Sequence, residues 1–68
     1  MNTITDKLTD LCEANDHWMY FDLYHLKNTY TIGYKHSVKT AKKFKDAKAA
    51  LAHAEFLVGC RKSFLARV

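Results

Sequence analysis

The sequence predicts an α+β fold: a small single domain over residues 1–68, ordered α-β-β-(β)-α, with an antiparallel sheet and two helices packed on one of its faces. Three observations predict it. An apolar stripe at helical spacing opens the chain, a period-two aromatic stretch fills its middle, and an alanine-rich helical stripe closes it. Sixty-eight residues leave room for one such domain, and a composition 49% hydrophobic is too apolar for a disordered tail.

Ile4, Leu8, Leu11 and Cys12 fall at i, i+4, i+7 and i+8, which predicts an amphipathic helix over residues 4–14. Thr3 suits its N-cap, with Asp6 three residues on to complete a capping box. Asn15 and Asp16 end it. Residues 17–26 then alternate, with Met19, Phe21 and Leu23 on one face and Trp18, Tyr20, Asp22 and Tyr24 on the other. Period two in β-favouring residues reads as a strand. Lys27 and Asn28 supply a turn, Asn because it tolerates positive φ. A second strand over residues 29–37 places Tyr30, Ile32 and Tyr34 together, and so short a link makes the pair an antiparallel hairpin.

Residues 38–44 read two ways. Val38, Thr40, Lys42 and Phe44 alternate as a third strand, while Ala41, Lys42 and Lys43 are good helix formers that would start the last helix early. The strand is preferred, because Asp46 is a credible cap for a helix that begins after it. From there Ala47, Ala50, Leu51, Ala54, Leu57 and Val58 line one helical face, with small alanines allowing close approach to a sheet. Gly59 either caps this helix or lies inside it. Leu57, Cys60, Phe64 and Leu65 keep helical spacing across it, which predicts a frayed continuation.

Charge is unevenly distributed along the chain. Residues 1–22 hold five acids and one base, whereas residues 23–68 hold ten bases and two acids. A basic half favours polyanions or acidic protein surfaces. No run approaches the roughly 18 apolar residues of a membrane span, and Met1 to Asp6 do not read as a signal peptide. Two cysteines without a secretion signal predict free thiols packed as small hydrophobes, in the cytoplasm of the producing or host cell.

Chemistry-bearing motifs are scarce. His17, His25, His36 and His53 show no paired spacing, and no Cys-x-x-Cys accompanies them, so neither a metal site nor any other cofactor is expected. Ser37 and Ser63 lie in no nucleophile elbow. His25 with His36 is the one acid–base pairing the hairpin offers, and Asp22 among its aromatic neighbours is the one carboxyl whose pKa a strand face would raise. Neither amounts to a catalytic constellation, and an enzyme is not expected.

Two surfaces stand out instead. Lys35, Lys39, Lys42, Lys43, Lys45 and Lys48 fall within residues 35–48, which contain a single acid, Asp46. Such lysines reach phosphates, though they also serve solubility and discourage sheet edges from pairing. The second surface is the strand face carrying Trp18, Tyr20, Asp22 and Tyr24, where exposed aromatics would mark a protein interface. The C-terminal segment folded over that face, or a homodimer closed over it, are the other ways to cover it.

The element order, the chain length and the basic stretch before an alanine-rich last helix resemble the double-stranded-RNA-binding domain over about residues 39–57. That resemblance implies that Lys39, Lys42 and Lys43 meet phosphates across a groove. The family's Gly-Pro-x-His loop between the first two strands is replaced here by Lys27-Asn28, and the glycines preceding its lysines are absent. The small single domain also resembles accessory proteins of phages and mobile elements, many of which inhibit a host protein by occupying its surface. The expected function is therefore a non-catalytic binding module. Its first-choice partner is nucleic acid, or an acidic or nucleic-acid-handling protein, bound through Lys35, Lys39, Lys42, Lys43 and Lys48. The alternative is an inhibitor of one host protein acting through Trp18, Tyr20, Asp22 and Tyr24.

Overall fold

The computed structural model describes residues 3–66. Helix α1 (Ile4–Ala14) leads into β1 (Met19–Tyr24), a 3-10 turn (His25–Lys27) and β2 (Thr29–Tyr34). A second 3-10 segment (Lys35–Thr40), the short β3 (Lys42–Phe44) and α2 (Ala47–Ala66) complete the chain. The sheet is antiparallel in the order β1-β2-β3, so β2 is central. No helix among the described residues is long and apolar enough to cross a membrane.

Local chemistry sets the element ends. The Asp6 N–H donates to Thr3 Oγ1 at 3.1 Å and the Thr3 N–H donates to Asp6 Oδ2 at 3.4 Å, which is the capping box. Asn15 stops α1: its side-chain amide donates to the Leu11 carbonyl at 2.8 Å. Asn28 takes φ 49° and ψ 45°, the left-handed conformation that lets two strands join so tightly. Asp46 caps α2, its carboxylate accepting the Lys48 N–H at 3.3 Å.

Register decides the faces. Met19 pairs with Tyr34, Phe21 with Ile32 and Leu23 with Tyr30, so these six share one face. Both helices cover it: Leu8 and Cys12 of α1, and Ala50, Ala54 and Leu57 of α2, are buried with Met19, Tyr30 and Ile32. Ala50 and Ala54 are fully buried, and their size brings α2 close to β2. Gly33 is needed for space rather than for φ. A Cβ there would lie 2.7 Å from both the Cα and the Cβ of Ala41.

Three expectations are corrected. Trp18 does not share the open face with Tyr20, Asp22 and Tyr24; it is only 7% exposed. It precedes β1, in a turn where its own N–H and that of Met19 both bond the Asn15 carbonyl, at 3.1 and 2.9 Å. That turn removes it from the pleat, and its indole N–H donates to Asn15 Oδ1 at 3.1 Å, which satisfies its polar edge inside the core. The third strand covers only Lys42–Phe44, because Val38 and Thr40 lie in the 3-10 segment. There the Thr40 hydroxyl donates to the Ser37 carbonyl at 2.7 Å, and the Ala41 N–H donates to that of Val38 at 3.1 Å. Finally, α2 passes through Gly59 as regular helix to Ala66, the expected continuation to Val68 lying partly outside the described residues. Yet Cys60, Phe64 and Leu65 are exposed rather than packed. Twenty residues at 1.5 Å each make about 30 Å of helix, while a six-residue strand spans about 20 Å, so one end must overhang the sheet.

Both cysteines are free. Burial, and secondarily the charge of Glu13, push the Cys12 thiol up from 9.0 to about 11. The folded chain thus keeps a proton that the unfolded chain loses, so the thiol's contribution is intact below about pH 9 and is lost as pH rises through about 11. Alkaline denaturation of wild type and Cys12→Ala should differ in slope there by up to about 1.4 kcal/mol per pH unit. Equal slopes would place this thiol in water.

Candidate nucleic-acid interface

The lysine run follows one edge of the sheet. Lys35 and Lys39 lie on the second 3-10 segment, Lys42 and Lys43 on β3, and Lys48 in the first turn of α2, and all five are exposed. Lys45, between β3 and α2, is exposed as well. Pairing splits the two on β3: Lys42 lies opposite Ile32 on the helix side, and Lys43 lies opposite Thr31 on the open side. The lysines therefore wrap the edge instead of forming one flat patch. The single acid among them, Asp46, is committed to the α2 N-terminus. The acidic helix α1 packs on β1 and α2, whereas the lysines follow β2 and β3, so the molecule is polar in charge.

Beside this edge lie two adjoining hollows. One, of about 270 Å³, includes Ile32, Thr40, Lys42, His53 and Phe56 in its lining. The other, of about 400 Å³, is lined by Tyr34, His36, Cys60, Arg61 and Phe64. Tyr34 lines both, so the two hollows adjoin at its ring along α2 and the end of β2, and together they are called the trough. Its rings are organised. Tyr34 lies 5.6 Å from Trp18 and 5.3 Å from His36, and the Arg61 guanidinium sits 5.0 Å over the Trp18 ring. His53 lies 5.1 Å from Phe44 and 6.2 Å from Phe56. Burial, and then the charge of Lys42, hold the His53 imidazole below its ordinary pKa, which favours the neutral ring.

Sequence reasoning missed this trough. Phe56, Cys60 and Phe64 at i, i+4 and i+8 did signal a helical stripe, but such spacing reads as core unless the face that α2 turns to the sheet is known. Tyr34 and His36 come from another segment altogether.

The open sheet face is more modest than expected. With Trp18 gone from it, Tyr20 is half-buried, Asp22 is exposed opposite Thr31, and Tyr24 is 47% exposed with Lys27 Nζ 5.8 Å from its ring centre. His25 and His36 are not brought together; they lie beyond opposite ends of the β1–β2 ladder. His25 instead ties the hairpin to α1. The Thr9 hydroxyl hydrogen goes to the Thr5 carbonyl at 2.9 Å, so His25 Nε2–H donates to Thr9 Oγ1 at 3.4 Å and Nδ1 accepts from the Tyr30 hydroxyl at 3.3 Å. Among the described residues no three His, Cys, Asp or Glu side chains converge to hold a metal ion. No protein-family model, curated protein or solved structure matches this chain.

Proposed function

We propose that the protein is a non-catalytic nucleic-acid-binding module that grips phosphates with Lys35, Lys39, Lys42, Lys43 and Lys48. The observation that carries this reading is an exposed run of lysines wrapped around one short edge strand, with its only acid committed to a helix cap. Phosphate contact by Lys releases counterions, which makes affinity fall steeply with salt. The dipolar layout supports it further, since the acidic helix orients a polyanion toward the lysine edge. The alternative, inhibition of a host protein through the aromatic sheet face, keeps Tyr20, Asp22 and Tyr24 but lacks the buried Trp18, its intended anchor.

Anisotropy titration of a labelled oligonucleotide at stepped salt tests the proposal. Three to five lysine–phosphate contacts give a log–log slope of about −2 to −4. Folded protein that binds no oligonucleotide at low salt would eliminate this function.

A further inference from the structure

We infer that the nucleic acid is single-stranded, and that its bases stack in the trough between α2 and Tyr34. This inference rests on the phosphate-binding reading above. Phe56 is 63% exposed and Phe64 65% exposed, and His36 is exposed beside the half-buried Tyr34. Rings left in water at such a cost are useful where a flat apolar surface is to be covered. The charged and titratable groups in the lining are Lys42, His53, His36, Arg61, the Tyr34 phenol and the Cys60 thiol, with no carboxylate among them. Lys35 and Lys39 stand on the segment that borders the trough. Aromatic platforms interleaved with cations suit an unpaired strand, whose bases offer free faces while its phosphates follow the positive lip.

A duplex does not fit this arrangement. Its base faces are covered by their neighbours, so Phe56 and Phe64 would meet only sugar and phosphate. Spacing agrees with a single strand. Eight helical residues separate the two phenylalanines by about 12 Å, which is three to four stacked-base intervals of about 3.4 Å. The hollow of about 400 Å³ that Phe64 helps to line falls within the size range of small-molecule pockets. Arg61, one of its lining residues, is already held over the Trp18 ring, so that cation is placed before any ligand arrives.

The test compares a labelled 12-mer with its own duplex at low salt, using wild type, Phe64→Ala, and Lys42→Glu combined with Lys43→Glu. Circular dichroism confirms folding, which Phe64→Ala should retain because its ring is mostly in water. Expected results are at least 10-fold tighter binding of the single strand, and a loss of about 5- to 100-fold on Phe64→Ala with the salt slope unchanged. Alkylation of Cys60, the exposed thiol in the trough, should be slowed by the single strand and not by the duplex. Equal affinity for both forms, with Phe64→Ala indifferent, overturns the stacking trough while leaving the lysine reading intact. Failure of both forms to bind removes the two readings together. Protection of Cys60 by a Glu-Tyr copolymer, with neither nucleic acid binding, assigns the trough to an acidic protein and also overturns the inference.

Discussion

Leu8→Ala is expected to cost about 2–5 kcal/mol of folding stability. Leu8 is fully buried in α1, in the same cluster as Met19, Tyr30 and Ile32 of the sheet. Truncation removes the methyl contacts and leaves a cavity that a close-packed helix cannot collapse into. A chain of 68 residues has roughly 3–10 kcal/mol to lose, so this one change takes a large share of the total. Urea unfolding read through the emission of Trp18 measures it, because that indole leaves the core only when the chain unfolds. Leu51, half-buried on α2, should cost less when truncated, at about 1–2 kcal/mol. Leu26, 90% exposed, serves as the control, with an effect within about 0.5 kcal/mol. If Leu8→Ala were no worse than Leu26→Ala, α1 would not belong to the core.

The helices were legible because their signals are local and mutually consistent. Thr3 and Asp6 cap α1 through bonds between residues three apart, and Asp46 caps α2 through a bond just as local. The hairpin was legible because period two and the left-handed Asn28 specify the same register. Residues 35–40 were not. Val38 and Thr40 alternate as a strand would, but the Ala41 N–H closes a 3-10 turn on the Val38 carbonyl, and the Thr40 hydroxyl braces it by bonding the Ser37 carbonyl. Trp18 was misplaced for a related reason. Alternation says which face a strand residue takes only if that residue is in the strand, and the bonds to the Asn15 carbonyl put Trp18 in the preceding turn.

The candidate site divides along the same line. Six lysines in one short run are visible in any reading of the sequence, whereas their split around β3 depends on the pairing of Lys42 with Ile32 and Lys43 with Thr31. The trough needed more than the sequence holds. Its walls come from β2, the 3-10 segment, β3 and both halves of α2. Phe64 is free where α2 outruns the sheet, and Phe56 because it sits on the helix face turned away from the buried Ala54 and Leu57. An apolar residue at helical spacing carries no mark of whether the sheet reaches that far.

Lys42→Glu combined with Lys43→Glu is expected to abolish oligonucleotide binding, with a loss of at least about 100-fold at moderate salt. Both side chains are exposed, so the fold should tolerate the change while the formal net charge falls from +4 to zero. The two single variants separate the faces of the edge. Lys42 borders the trough and depresses the His53 pKa, so Lys42→Glu should raise that pKa in an NMR titration, whereas Lys43→Glu, across the strand, should leave it unmoved. If phosphates run along the trough, Lys42→Glu weakens a single strand more than Lys43→Glu does. If they run over the open sheet face, the order reverses. Equal losses place the backbone astride the edge, with both lysines on it. Full binding by the double variant, with His53 titrating as expected, would move the phosphates off β3 and take the lysine-edge function with them.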